Sequence, residues 1–103
     1  MTLDYLVFDY SEDNGEGGSF DAMASVLAPQ VPEVEAEIAQ VLAWANAQFP
    51  GAQRPVEDGG EWDIDLQVVS ENDPTPRQTY ALVIAGTSTF CDAFHLKFAS
   101  AIA

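Results

Sequence analysis

The clearest signal in the chain is an alternation. Over residues 61–70 (EWDIDLQVVS), Trp62, Ile64, Leu66 and Val68 fall on one parity and Glu61, Asp63, Asp65 and Gln67 on the other. That is the period-2 signature of a strand with one buried and one wet face. After a turn at 71–76 (ENDPTP), residues 79–85 (TYALVIA) predict a second strand. The N-terminal segment 2–10 (TLDYLVFDY) is rich in aromatic and β-branched side chains and also predicts a strand. It sets Leu6, Phe8 and Tyr10 on one face and Tyr5, Val7 and Asp9 on the other. A turn rich in glycine and acids at 11–18 (SEDNGEGG) leads into a strand over Ser19–Leu27, with Phe20, Ala22, Ala24 and Val26 in phase.

Two segments change period. From Pro32 onward, Val34, Ile38, Val41, Leu42, Ala45 and Phe49 repeat at the spacing of one apolar helical stripe. Pro32 suits the first turn, and Glu33, Glu35 and Glu37 meet the positive end of the helix dipole. Pro50-Gly51 ends this helix, and residues 50–60 (PGAQRPVEDGG) form the main linker. A second helix covers 88–101, with Thr89 and Asp92 resembling a short-armed capping box. Its apolar side is Phe90, Phe94, Ala101 and one of Lys97 or Phe98.

The order strand-strand-helix-strand-strand-helix predicts an α+β fold. We expect a two-layer sandwich, β-β-α-β-β-α in order, with a mainly antiparallel four-stranded sheet and both helices packed on one face. The sequence leaves the strand order open. It reads as one compact domain over 1–103, and the faint likeness of the YSEDNGEGG and VSENDPTP loops hints at a duplication of 1–50 in 61–103.

Charge alters the picture most. The chain carries 17 Asp and Glu against three Lys and Arg, a formal net charge of −14 in 103 residues, and no base precedes Arg54. With 48% of its residues hydrophobic, it has enough apolar surface to fold in spite of that charge. Such a balance repels nucleic acid and anionic membranes and attracts basic surfaces. No uncharged stretch reaches the roughly 20 residues of a transmembrane helix. The acidic, strand-like N-terminus is no secretory signal, so the sequence points to a cytoplasmic protein. A lone cysteine, Cys91, excludes an internal disulfide and a multi-cysteine zinc site.

Candidate chemistry is sparse. Asp9, Ser11 and Asp13 begin like a calcium loop, but Asn14 and Phe20 stand where a glycine and a bidentate acid belong. The pair Asp63 and Asp65 sits on a wet face, unsuited to acid–base work that needs one carboxyl raised by burial. Cys91 and His95, four apart on one helix, are more simply read as structural than as a nucleophile pair or a metal site. Trp44, just off the apolar stripe, reads equally as an interface anchor and as core. There is no glycine-rich phosphate loop with lysine and no nucleophile elbow, so no cofactor and no enzymatic activity are expected.

What remains is the acid stripe. Glu61, Asp63 and Asp65 stand roughly 6.5 Å apart along one strand face, with Glu71 and Asp73 continuing the parity. These five are the residues expected to bind a partner. The chain reads as a small acidic interaction protein for a basic protein, of the immunity, inhibitor or nucleic-acid-mimic type. The competing reading is an accessory domain, homodimeric through a sheet edge or the Trp44 region, whose acidity serves solubility alone.

Overall fold

A computed structural model describes residues 3–13, 17–72 and 75–103. The alternating segments become strands β1 (Asp9–Glu12), β2 (Gly17–Leu27), β3 (Trp62–Glu71) and β4 (Arg77–Thr87), and the periodic ones become helices α1 (Val31–Gln48) and α2 (Ser88–Lys97). All pairings are antiparallel and the sheet order is β1-β2-β4-β3. Each hairpin therefore turns its second strand inward. β2 and β4 pair along their whole lengths, from Gly17 opposite Thr87 to Leu27 opposite Arg77.

One face of this sheet carries the core. Phe20, Ala22, Ala24 and Val26 of β2 alternate inward, as do Tyr80, Leu82 and Ile84 of β4 and Trp62 of β3. Over them lie Val34, Ile38, Val41 and Ala45 of α1 and Phe90, Phe94 and Cys91 of α2. Phe94 is the hub, with its ring centroid 4.1 Å from Phe20, 5.1 Å from Phe8, 4.8 Å from Phe98 and 5.8 Å from Trp44. Phe90 stacks on Trp62 at 5.9 Å and 11°. It reaches that ring because the residue paired with Trp62 is Gly86, where any side chain would strike the Phe90 ring. The Trp62 indole N–H is buried with no acceptor among the described residues.

Several boundaries differ from the sequence reading for local reasons. α2 begins under Thr87, whose hydroxyl accepts from the Phe90 N–H at 3.3 Å, so the cap is Thr87 and not the Thr89–Asp92 pair. The helix stops at Lys97, and a short 3-10 turn at Ala99–Ala101 replaces its last turn and buries Phe98 rather than Lys97. The segment 50–60 is more than a linker. It folds back along the start of β3, with Gln53 bridged to Trp62 and the Arg54 N–H donating to the Trp62 carbonyl at 2.9 Å.

The largest correction is at the N-terminus. β1 runs on through Ser11 and Glu12 of the expected turn, but of the expected first strand, 2–10, only Asp9 and Tyr10 join the sheet. Residues 3–8 leave it and cross toward α1, burying Leu3, Leu6 and Phe8. Phe8 then bridges to Ile102, with its N–H donating to Ala101 at 2.7 Å and its carbonyl accepting from Ala103 at 2.9 Å. The Glu37 carboxylate, 8% exposed, holds this course. One oxygen accepts from the backbone N–H of Asp4 at 2.8 Å, and the other accepts from Tyr5 and Leu6 at 3.1 Å each. One turn earlier, Glu33 accepts from the Tyr5 hydroxyl at 2.6 Å.

Removing that carboxylate takes the acceptor from three amide donors, that of Leu6 buried and those of Asp4 and Tyr5 part-buried. Glu37→Ala is expected to cost about 3 kcal/mol in urea unfolding, and Glu33→Gln less than about 1 kcal/mol, since the Tyr5 phenol can turn to water. A Glu37→Ala loss no larger than that of Glu33→Gln would show that the clamp does not hold the segment.

Candidate functional site

Because both helices cover the face that buries Phe20 and Leu82, side chains of the other parity on all four strands point away from them. The register sorts these into rows. In one row Asp9 faces Asp21, Asp21 faces Val83, and Val83 faces Asp65. In the next, Ser11, Ser19, Ala85 and Asp63 stand side by side. Then come Met23, Ala81 and Gln67, and at the far end Leu27, Arg77 and Glu71. Asp9 and Asp21, directly opposite, have Cβ atoms about 5 Å apart, and Asp65 lies two strands on, roughly 10 Å away.

The centre of this face is apolar. Met23 is 68% exposed, and beside it Val7, from the segment that leaves the sheet, is 55% exposed. Together with Asp9, Asp21, Ala81 and Val83 they line a shallow open groove of about 510 Å³. A second recess of about 530 Å³ lies at the end near the first hairpin turn, where Asp13, Glu57 and Asp63 converge over Gly17, Gly18 and Gly86. Both depressions are walled by carboxylates from different elements. Arg77 is the one base on this face among the described residues, and its guanidinium donates to the Ser25 carbonyl at 3.2 Å.

The five residues expected to form the site fare differently. Asp63 and Asp65 do project from the open face, Asp63 half-buried and Asp65 exposed. Glu71 shares their parity but stands at the opposite end of β3, paired with Arg77. Asp73 lies outside the described residues. Glu61 is a correction: it precedes β3, and its carboxylate accepts from the Thr87 hydroxyl at 2.7 Å, so it braces the cap of α2 rather than joining an exposed array. Sequence reasoning missed Asp21 and the joining of Asp9 to it. The signal was present in parity, since Asp21 falls between the inward Phe20 and Ala22. The pairing itself depends on the hairpin register.

The acids near the start of α1 are likewise occupied. Glu35 accepts from the Tyr80 hydroxyl at 2.9 Å, alongside the bonds made by Glu33 and Glu37. Leu66 and Val68 keep the inward parity expected of them, yet they are 41% and 47% exposed because the helices do not reach the β3 edge. Trp44 turns its ring into the core, 5.3 Å from Phe98 and 5.7 Å from Phe90. Cys91 is buried, its thiol 3.6 Å from the Gly86 carbonyl, and His95 packs on Tyr10 and Phe20 at 4.6 and 5.1 Å. Among the described residues no group of three His, Cys, Asp or Glu is placed to hold a metal ion, and no helix is long and apolar enough to cross a membrane. No protein-family model, curated protein or solved structure matches this chain.

The like-charged pair across β1 and β2 has a measurable cost. Two carboxylates about 5 Å apart repel by about 0.8 kcal/mol in water. Asp9→Asn is therefore expected to stabilise the fold by about 0.5 kcal/mol at low salt, with the gain fading as salt screens the pair. A salt-independent gain would mean that Asn acts through something other than charge.

Burial pushes the Cys91 thiol above its ordinary 9.0. The Tyr80 phenol rises above 10.0 through burial and its bond to Glu35, and that of Tyr10 through burial. All three are acids held neutral by the fold, so they cost nothing while the unfolded chain is also neutral. Once pH passes 9 to 10 the unfolded chain ionises first, and stability falls. Thermal unfolding midpoints are expected to hold up to about pH 9 and then drop, with Cys91→Ala moving the onset of the drop upward.

Proposed function

We propose that this chain is a small, non-enzymatic interaction protein whose open sheet face receives the basic surface of a protein partner, as an immunity protein, an inhibitor or a mimic of nucleic acid does. The supporting observation is the arrangement of that face. Asp9, Asp21, Asp63 and Asp65, from three strands, flank Val83 and border the row of Met23 and Ala81 on a surface that neither helix covers. Acids at the rim give long-range attraction and fast encounter, and the apolar centre gives area to bury. Glu71 extends the acidic rim along β3.

The same field turns away nucleic acid and anionic lipid. A free, buried Cys91 thiol fits a reducing, cytoplasmic setting. Acidity serving solubility alone needs no particular placement of the carboxylates, and it would be satisfied by interspersed charges.

The test is affinity capture from the source cell extract, with the tagged protein as bait and elution by a salt gradient. A stoichiometric basic protein eluting at moderate salt is expected, and Asp21→Asn/Asp65→Asn is expected to weaken its binding about tenfold at low salt. Recovery of no partner at low salt, or a partner indifferent to the double substitution, would overturn the reading.

A further inference from the structure

The two edges of the sheet are treated differently. β1 is only Asp9–Glu12, and the chain on its N-terminal side is tied to the C-terminus through Phe8 and Ile102. β3 runs for 10 residues, Trp62–Glu71, and past Trp62 its outer edge has no backbone partner among the described residues. The direction of its peptide groups follows from two hydrogen bonds. The Glu61 carbonyl accepts from Thr87, on the β4 side, whereas the Trp62 carbonyl accepts from Arg54, on the opposite side. In an antiparallel ladder these directions alternate. The N–H and C=O of Ile64, Leu66, Val68 and Ser70 therefore face the open edge, a run of roughly 20 Å. Side chains alternate in step, so these four residues lie on the inner parity, where Leu66 and Val68 are half uncovered, and Asp63, Asp65 and Glu71 lie on the outer one.

We infer that this edge takes a strand from the basic partner. The segment that fits it is extended, with apolar side chains on one face to cover Leu66 and Val68, and Lys or Arg on the other to meet Asp63, Asp65 and Glu71. The inference rests on the basic-partner reading and assigns the partner's contacting segment. A second copy of this chain fits poorly. Antiparallel self-pairing centred on Val68 sets Asp65 against Glu71 twice, centring on Gln67 sets Asp63 against Glu71, and each copy brings a net charge of −14. The acids that attract a basic strand thus also keep the edge from pairing with itself.

The probe is an acetylated, amidated peptide alternating Lys and Val over the length of β3. In an antiparallel pairing its valines stand opposite Ile64, Leu66, Val68 and Ser70 and exchange the backbone bonds. N-methylation at the valines is expected to weaken binding at least about tenfold, whereas N-methylation at the lysines leaves it unchanged, all three peptides having the same charge. On ¹⁵N-labelled protein, the amides of Ile64, Leu66, Val68 and Ser70 are expected to exchange fast when free and to be slowed at least about tenfold when bound. Asp63→Asn/Asp65→Asn/Glu71→Gln should lower affinity and flatten its salt dependence. Equal binding of all three peptides, or binding without protection of those four amides, would overturn edge pairing while leaving the charge reading intact. Failure of the parent peptide to bind even at low salt would overturn the edge site, and the extract capture then decides the outer face separately.

Discussion

The fold turns on the aromatic seam between α2 and the sheet. Phe94 touches Phe8, Phe20, Trp44 and Phe98, so one ring joins the N-terminal segment, β2, α1 and the end of α2. Phe90 carries the seam on to Trp62, over the glycine that makes room for it. Aromatic rings bury large areas and lock in edge-on or offset geometries. Concentrating them on a single side of the sheet draws both helices to that side. With α1 and α2, the two α-helices among the described residues, both on that side, the other face is left open, and the open face and the long β3 edge follow from that choice.

The charge then falls into two populations. Glu33, Glu35, Glu37 and Glu61 each accept hydrogen bonds from a phenol, a hydroxyl or backbone amides, and they stitch the N-terminus, β4 and the cap of α2 together. They are structural groups in spite of their charge. Asp9, Asp21, Asp63 and Asp65 accept no such bonds among the described residues, stand close enough to repel, and are gathered where the register, rather than the sequence, makes them neighbours. An excess of acid can therefore be both part of the scaffold and a surface property, and only the partners of each carboxylate separate the two.

The sequence made the sheet and both helices legible because β2, β3 and β4 alternate cleanly and α1 keeps a helical period. It failed where a long-range bond competes with a local pattern. Residues 3–8 have the composition of a strand, yet the Glu37 carboxylate offers their amides a better partner than a sheet edge, and no local signal announces a contact 31 to 33 residues away. Glu61 has the parity of an exposed strand residue, but the Thr87 hydroxyl claims it. Half of the site was visible on the same terms. Asp63 and Asp65 follow from alternation alone, whereas the Asp9–Asp21 pair needs the hairpin register. The exposure of Leu66 and Val68 needs the strand order, which alternation leaves open: the same pattern in a central strand would be covered.

That last point links the face to the edge. Leaving the inward-facing Leu66 and Val68 bare is costly in water only if the strand is to stay unpartnered, since exposed apolar edges invite pairing. Here Leu66 and Val68 lie on one side of β3, and Asp63, Asp65 and Glu71 lie with Val69 on the other, so an approaching strand meets both at once. In the proposed complex, Asp63 and Asp65 would draw a basic segment to the edge, and the backbone groups of Leu66 and Val68 would fix its register. Burial of their side chains against that segment would extend the core outward by one strand. Face and edge would then act as a single surface, in which charge selects the partner and the ladder orients it.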